Sequence, residues 1–160
     1  MQLIRLATPH DIKSIFDIRI SVKENHLSLE QLTEMGITPI SVLAMMESEP
    51  CIWVVEKAGM ALGFSIVDFK AGMVFASFVH PDHEGKGFGK QLMKEAEALL
   101  FQKYNRIYLE TDSKSRAYQF YKHLGWNTVE FYANSDVKME KFKPEKSFDK
   151  LLFRSKYYAV

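Results

Sequence analysis

Apolar residues fall into short groups with strand-like spacing at seven places along the chain. The first group, QLIRL, alternates apolar and polar residues, as expected of a strand with one buried face. Three closely spaced apolar groups follow in the middle of the chain, and they predict an antiparallel meander in which Gly59 supplies the first turn. The last two groups are expected to pair. The predicted strands cover residues 2–6, 51–57, 61–69, 72–79, 106–111, 126–132 and 137–142.

Groups with helical spacing separate these strands. Ile12, Ile15, Phe16 and Ile20 make one apolar face of a first helix, which Thr8 can cap. A proline or a capping-box pair marks the start of the next two segments, and a glycine suits the end of the last helix. The predicted helices cover residues 7–25, a short segment from Ser28, a segment from Thr38 to before Pro50, residues 87–103, and residues 113–125.

This order of elements predicts the fold class. The strand, helix and strand in the middle of the chain form a crossover, so those two strands are expected to run parallel. The remaining strands favour antiparallel pairing, which gives an α/β fold of the mixed α+β kind with helices on both faces of the sheet. The chain has 160 residues, 47% of them hydrophobic, and this fits a single domain.

Composition narrows the function classes. The chain has 21 basic and 20 acidic residues, and this balance argues against a nucleic-acid partner. Cys51 is the one cysteine, so an intrachain disulfide is excluded. The sequence shows neither a signal peptide nor an apolar segment long enough to span a membrane, so we expect no membrane partner and a cytoplasmic location. The five histidines lack metal-ligand spacing, and no metal is expected.

The segment FVHPDHEGKGFGKQLM, which begins at residue 78, is the most specific feature of the sequence. Gly85, Gly87 and Gly89 precede a predicted helix, and Lys86 and Lys90 add positive charge. Glycine allows close approach to the backbone, and a helix N-terminus offers unpaired N–H groups. Together they predict a site for an anion, most often a phosphate, although a strand-to-helix turn without a ligand would also use glycines.

Two common phosphate-binding patterns do not fit this segment. A P-loop requires a glycine where Glu84 stands and a serine or threonine where Gln91 stands, and the dinucleotide fingerprint requires a glycine at Lys90. Pro81 cannot donate to a strand ladder, so the chain must leave the sheet there. Backbone groups exposed at that point could pair with an extended ligand arm.

The segment resembles the coenzyme A-binding motif of the GNAT N-acetyltransferases, in which a strand ending V-x-P precedes Arg/Gln-x-x-Gly-x-Gly/Ala and a helix. Val79, Pro81, Gly87 and Gly89 match this pattern, whereas Glu84 stands where Arg or Gln is usual. A second segment, AYQFYKHLGW, is similar to the family's A-x-x-F-Y-x-x-x-G-F/W helix. Upstream of it, lysine occupies position 114, where the family often has asparagine.

The resemblance implies a GNAT domain over residues 1–142, built on a splayed seven-stranded sheet, and leaves residues 143–160 as an extension of unknown role. It implies direct transfer of an acetyl group from acetyl-CoA to a primary amine of a small molecule or a protein, through a ternary complex. The homodimers common in the family make a homodimer one expectation here. The alternatives are a non-catalytic CoA-binding sensor or scaffold, and an interaction protein without a ligand.

The resemblance also implies roles for individual residues. Tyr121 is expected to protonate the departing thiolate, and the Val79 N–H to stabilise the developing oxyanion. The base that takes the amine proton is less defined: Glu24 is the first candidate, and Glu110, His80 and His83 are others. The residues expected to bind the cofactor are Phe78 and Val79, through their backbones to the pantetheine arm, and Gly85, Lys86, Gly87, Phe88, Gly89 and Lys90, around the pyrophosphate.

Overall fold

One seven-stranded mixed sheet runs through residues 2–145, the part of the chain that the computed structural model describes. The predicted extension over residues 143–160 therefore lies outside the described residues, apart from its first three. The strand order across the sheet is β1-β2-β3-β4-β5-β7-β6. The strands are β1 (Gln2–Leu6), β2 (Ile52–Lys57), β3 (Met60–Asp68), β4 (Met73–Val79), β5 (Arg106–Asp112), β6 (Asn127–Phe131) and β7 (Asp136–Phe142).

The pairing of these strands confirms the predicted topology. Strands β2, β3 and β4 form the antiparallel meander, and β6 pairs antiparallel with β7. Strands β4 and β5 run parallel, as the crossover requires, but they pair only at Met73 and Tyr108. Within residues 2–145, the rest of β4 follows β3 and has no strand partner on its other edge, so the sheet splits between β4 and β5.

Five α-helices connect the strands, and the first is shorter than predicted. Thr8 donates its N–H to the Asp11 carboxylate, and a 3-10 turn over Pro9–Asp11 precedes the helix. The helix ends at Ser21 rather than Asn25, because Val22 is extended and Asn25 has a φ of 54°. The helices are α1 (Ile12–Ser21), α2 (Leu29–Glu34), α3 (Pro39–Ser48), α4 (Phe88–Phe101) and α5 (Arg116–His123).

Helices cover both faces of the sheet. Arg19 of α1 lies over the ring of Phe78, whereas the first turn of α4 packs against Val79, the next residue of β4. Because successive side chains of a strand point to opposite faces, α1 and α4 are on opposite sides. Lys141 of β7 pairs with Glu97 of α4 and donates to the carbonyl at the end of α5, so α5 lies beside α4.

A partly buried ion cluster joins the start of α1 to the edge of the sheet. The Arg5 guanidinium contacts the Asp11 carboxylate at 2.8 Å and the Glu56 carboxylate at 2.5 Å. Burial raises the pKa of Asp11, but the hydrogen bonds from Arg5 and from the Thr8 backbone outweigh it, and the net effect is a pKa below the ordinary value of 3.8. The ionised form of Asp11 therefore stabilises the fold.

Asp11→Asn is expected to lower the free energy of unfolding at neutral pH by about 1–3 kcal/mol, because it removes the buried carboxylate that pairs with the partly buried Arg5. The contribution of Asp11 is complete above its ordinary pKa and is lost as the pH falls through its lower folded-state value. Urea unfolding at pH 7 should separate the variant from the parent, and the difference should shrink in strong acid. Asp17→Asn, which removes an exposed pair with Lys13 on the same helix, should be close to neutral.

Candidate active site

The loop after β4 has the open concave shape that an anion site needs. The chain leaves the sheet through a 3-10 turn over Pro81–His83, and α4 begins at Phe88. Gly85 and Gly87 between them have φ values of 75° and 85°, which L side chains adopt only at a cost. A Cβ at either position would have no atom within 4 Å, so the space over the loop is free.

Gly89 has a different role, because it allows close packing. A Cβ there would lie 3.5 Å from the Phe120 ring and 3.8 Å from the Val79 side chain. The first turn of α4, the end of β4 and α5 therefore meet at Gly89. Phe88 anchors this turn in an apolar cluster with Leu92, and the first N–H groups of α4 have no acceptor within the helix.

The end of β4 presents free backbone groups to the split in the sheet. His80 donates its N–H to the carbonyl of Leu62 on β3. Backbone groups alternate between the two edges of a strand, so the Val79 N–H points away from β3 and into the split. The same alternation turns the backbone of Phe78 toward β3, which differs from its expected backbone contact with the ligand. Phe78 contributes its ring to the face that α1 covers.

Tyr121 follows Phe120 on α5, the helix that packs against Gly89. Its side chain is only 8% exposed, and its ring packs against Phe120 and Trp126. Its hydroxyl makes no hydrogen bond to any of residues 2–145, and burial raises its pKa to about 12. Tyr118, one turn earlier, is different, because its hydroxyl is 2.7 Å from the Thr128 hydroxyl. Tyr121 therefore holds a protonated hydroxyl that has no structural use within the described chain.

Glu24 and Glu84 approach each other through Arg116, the first residue of α5. Glu24 accepts the Arg116 backbone N–H at 3.0 Å, and its other oxygen is 3.4 Å from the guanidinium. The Arg116 guanidinium also donates to Glu84 at 3.2 Å. The segment after α1 and the glycine loop are thus joined at the N-terminus of α5. The Arg116 guanidinium also offsets the negative charge of Glu84, which occupies the loop position where the family usually has Arg or Gln.

The other candidate bases have local partners. Glu110 is exposed and accepts from the Tyr132 hydroxyl at 3.1 Å. It lies two residues beyond Tyr108, where β5 pairs with β4. The His80 ring accepts the Asp82 N–H at 3.1 Å, and His83 lies 3.5 Å from the Lys86 ammonium. The two histidine contacts lie within the loop, and none of the three contacts involves Tyr121.

Arg19 is a site residue that the sequence analysis missed. It is half-buried on α1, and its guanidinium is 4.3 Å from the centroid of the Phe78 ring. Its spacing from Ile12, Ile15 and Phe16 was the available signal, because i, i+3, i+4 and i+7 share one helix face. Arg19 is the fourth of these positions, so its charge lies on the face of α1 that packs against the sheet.

No helix within residues 2–145 is both long and apolar enough to cross a membrane. Across the same residues, no group of three or more His, Cys, Asp or Glu side chains could hold a metal ion.

Comparisons with known proteins place the chain in a family. The model of the acetyltransferase (GNAT) domain matches residues 48–128, half of the chain and both segments quoted above. This protein belongs to the GNAT acetyltransferase family, as the two motifs predicted. No individually curated protein matches the chain.

Solved structures agree with this assignment at the level of the fold. Ard1 from Thermoplasma volcanium has a TM-score of 0.73 and 21% identity, with 90% of this chain and 99% of that chain covered. The PaiA N-acetyltransferase from Thermoplasma acidophilum, in complex with coenzyme A, has a TM-score of 0.72 and 19% identity, with 89% and 99% covered. The ribosomal-protein-S18-alanine N-acetyltransferase from Escherichia coli has a TM-score of 0.68 and 16% identity, with 92% and 97% covered.

Proposed function

We propose that this protein is an N-acetyltransferase that transfers an acetyl group directly from acetyl-CoA to a primary amine within a ternary complex. One observation carries the proposal: the open glycine loop leads into α4 at Gly89, where the free edge of β4 at Val79 and α5, the helix that carries Tyr121, meet beside the split between β4 and β5. Membership of the acetyltransferase family supports it, as does the fold shared with a relative in complex with coenzyme A.

The cofactor proposal assigns each part of acetyl-CoA to one of these features. The pyrophosphate lies over Gly85–Lys90, on the first N–H groups of α4, with Lys86 and Lys90 as nearby cations. The pantetheine arm takes the place of a strand beside β4 and pairs with the backbone of Val79. The open space above Gly85 and Gly87 supports this placement, because side chains there would occupy it.

The reaction needs three proton and charge adjustments. The attacking amine must be neutral, although a lysine-like amine has a pKa of about 10.4 and an α-amine of about 8. Its nitrogen forms a bond to the thioester carbon, and the developing oxyanion is stabilised by the Val79 N–H. The carbon–sulfur bond then breaks, Tyr121 gives its proton to the leaving thiolate, and the nitrogen releases its surplus proton to water, from which Tyr121 is reprotonated. The hydroxyl suits this role because it is protonated at neutral pH and makes no other hydrogen bond within residues 2–145.

We assign the removal of the amine proton to Glu24, acting through water. Glu24 lies at the junction of α1 and α2 and contacts α5, the helix that carries Tyr121. Its side chain is 44% exposed, so water can reach it. Because it also accepts the Arg116 N–H, a role in positioning α5 is the competing explanation, and the experiment below separates the two.

The alternative of a non-catalytic CoA sensor rested on Glu84, on Lys114 and on the lack of a glutamate in β4. Arg116 weakens the first reason, because it pairs with Glu84 and draws its carboxylate toward α5. Ser115 weakens the second, because its hydroxyl caps α5 at the residue after Lys114. Tyr121 favours catalysis, since a sensor has no use for a buried, unbonded hydroxyl.

Gly87→Ala is expected to destabilise the fold by about 1–2 kcal/mol, the cost of an L residue in the left-handed region, and to weaken acetyl-CoA binding at least about tenfold by placing a methyl group in the loop. Gly59→Ala is a matched control, because Gly59 has a φ of 78° and equally open surroundings in the β2–β3 turn. Calorimetry should show the binding loss only at Gly87. Equal affinities for both variants would remove the pyrophosphate from this loop.

Tyr121→Phe is expected to lower kcat by about 10²–10⁴-fold, as loss of a general acid does, while acetyl-CoA still binds. The assay is release of free thiol from acetyl-CoA across a panel of amines, amino acids and peptides. Tyr118→Phe is the control and should retain the parent kcat, because its hydroxyl bonds Thr128. If the parent binds acetyl-CoA but releases no thiol with any acceptor, the sensor explanation holds instead.

Glu24→Gln separates a base from a positioning residue, because glutamine can still accept the Arg116 N–H but cannot take a proton. We expect a loss of kcat at neutral pH that diminishes as the pH approaches the pKa of the free amine. Glu24→Ala should lose activity at every pH. Parent-like activity of Glu24→Gln at neutral pH would assign Glu24 to the positioning of α5.

A further inference from the structure

Arg19 is a half-buried cation without an anionic partner among residues 2–145. Its Nη1 atom is inaccessible to solvent and has no hydrogen-bond partner among residues 2–145. Burial lowers its pKa, and no carboxylate offsets that effect. Arg5, the comparable arginine at the sheet edge, contacts two carboxylates. Unlike Arg5, Arg19 therefore forms no ion pair within residues 2–145 that would stabilise the fold.

The stacking on Phe78 satisfies only part of this group. A guanidinium over an aromatic face is stabilised by the ring electrons, but its N–H donors lie in its plane and stay available. A buried donor left unpaired costs free energy, so such donors usually have partners in the functional state. The planar guanidinium matches the two oxygens of a carboxylate, which it binds with a pair of parallel hydrogen bonds.

Arg19 lies against the residue that precedes the proposed oxyanion donor. Phe78, on which it stacks, directly precedes Val79, whose N–H faces the split. Arg19 lies on the face of the sheet opposite to α4 and the glycine loop, so it is away from the phosphates of the cofactor. The chain that leaves α1 reaches α5 through Glu24, and α1 therefore flanks the side of the split that the acceptor must enter.

We propose that Arg19 binds the carboxylate of the acceptor, so that the acceptor is a free amino acid rather than a simple amine. The inference rests on the proposed acetyl transfer and adds the substrate class to it. A zwitterionic acceptor fits the charges on this side, with its carboxylate on Arg19 and its ammonium group toward Glu24. A peptide N-terminus fits less well, because its nearest carbonyl is a neutral amide, and a diamine offers nothing to Arg19.

The test measures binding to the protein already saturated with coenzyme A, so it does not depend on turnover. The probes are the common L-amino acids, each compared by calorimetry with its decarboxylated amine, for example lysine with cadaverine. We expect at least one amino acid to bind more than about tenfold tighter than its amine. Arg19→Met should remove that preference while leaving coenzyme A binding unchanged, and Arg19→Lys should restore part of it.

Arg106→Met is the matched control, because Arg106 also lies over an aromatic ring, 5.4 Å from the Tyr108 centroid, but is exposed and paired with Glu140. It should keep the preference for the carboxylate. If Arg19→Met does not fold, Arg19→Lys and Arg19→Gln carry the comparison.

Three results would overturn the inference. One is that no amino acid in the panel binds to the CoA-loaded protein. Another is that the amines bind as well as the amino acids, and the third is that Arg19→Met keeps the preference. If Arg19→Met lowered kcat equally for all acceptors but kept the preference for amino acids over their amines, Arg19 would instead contact the thioester. Failure of coenzyme A itself to bind would count against the proposed function, which separates the two conclusions.

Discussion

The separation of β4 from β5 is the constraint on which the rest of the site depends. The two strands share one pairing, at Met73 and Tyr108, and then diverge. The end of β4 is only partly buried, so its free backbone groups stay open to a ligand that could pair with them. The glycine loop continues from the free end of β4, and α5 lies across the gap. The position of the candidate site and the groups available in it therefore both depend on this split between β4 and β5.

Two kinds of polar group surround this gap, and they differ in how well they are satisfied. Arg116 joins Glu24 to Glu84, so one cation at the surface links two carboxylates from separate parts of the chain. The Tyr121 hydroxyl has no hydrogen bond to any of residues 2–145, and the buried Nη1 of Arg19 has no acceptor among them. The paired groups maintain the shape of the site. Both proposals centre on Tyr121 and Arg19, because their donors remain available to a bound substrate.

The fold was largely predictable because its signals are local. Seven strands follow from apolar spacing, and Ser28, Thr38 and Gly125 mark helix ends by capping chemistry that a short window contains. The first helix was predicted too long because the spacing of residues 22–25 is compatible with a helix. The chain after Val22 instead turns toward α5, where Glu24 finds Arg116, 92 residues away in sequence. No local pattern contains a contact of that range.

Residue types at short, fixed spacings were enough to predict the element order, the glycine loop and the family. The tertiary structure was needed to show which groups face the split, because strand alternation and helix packing set those directions. It turned the Phe78 backbone toward β3, separated Tyr118 from Tyr121 by giving Tyr118 a partner in Thr128, and left Arg19 without one. Whether a polar group is paired or free depends on its neighbours in space, and spacing along the chain does not specify them.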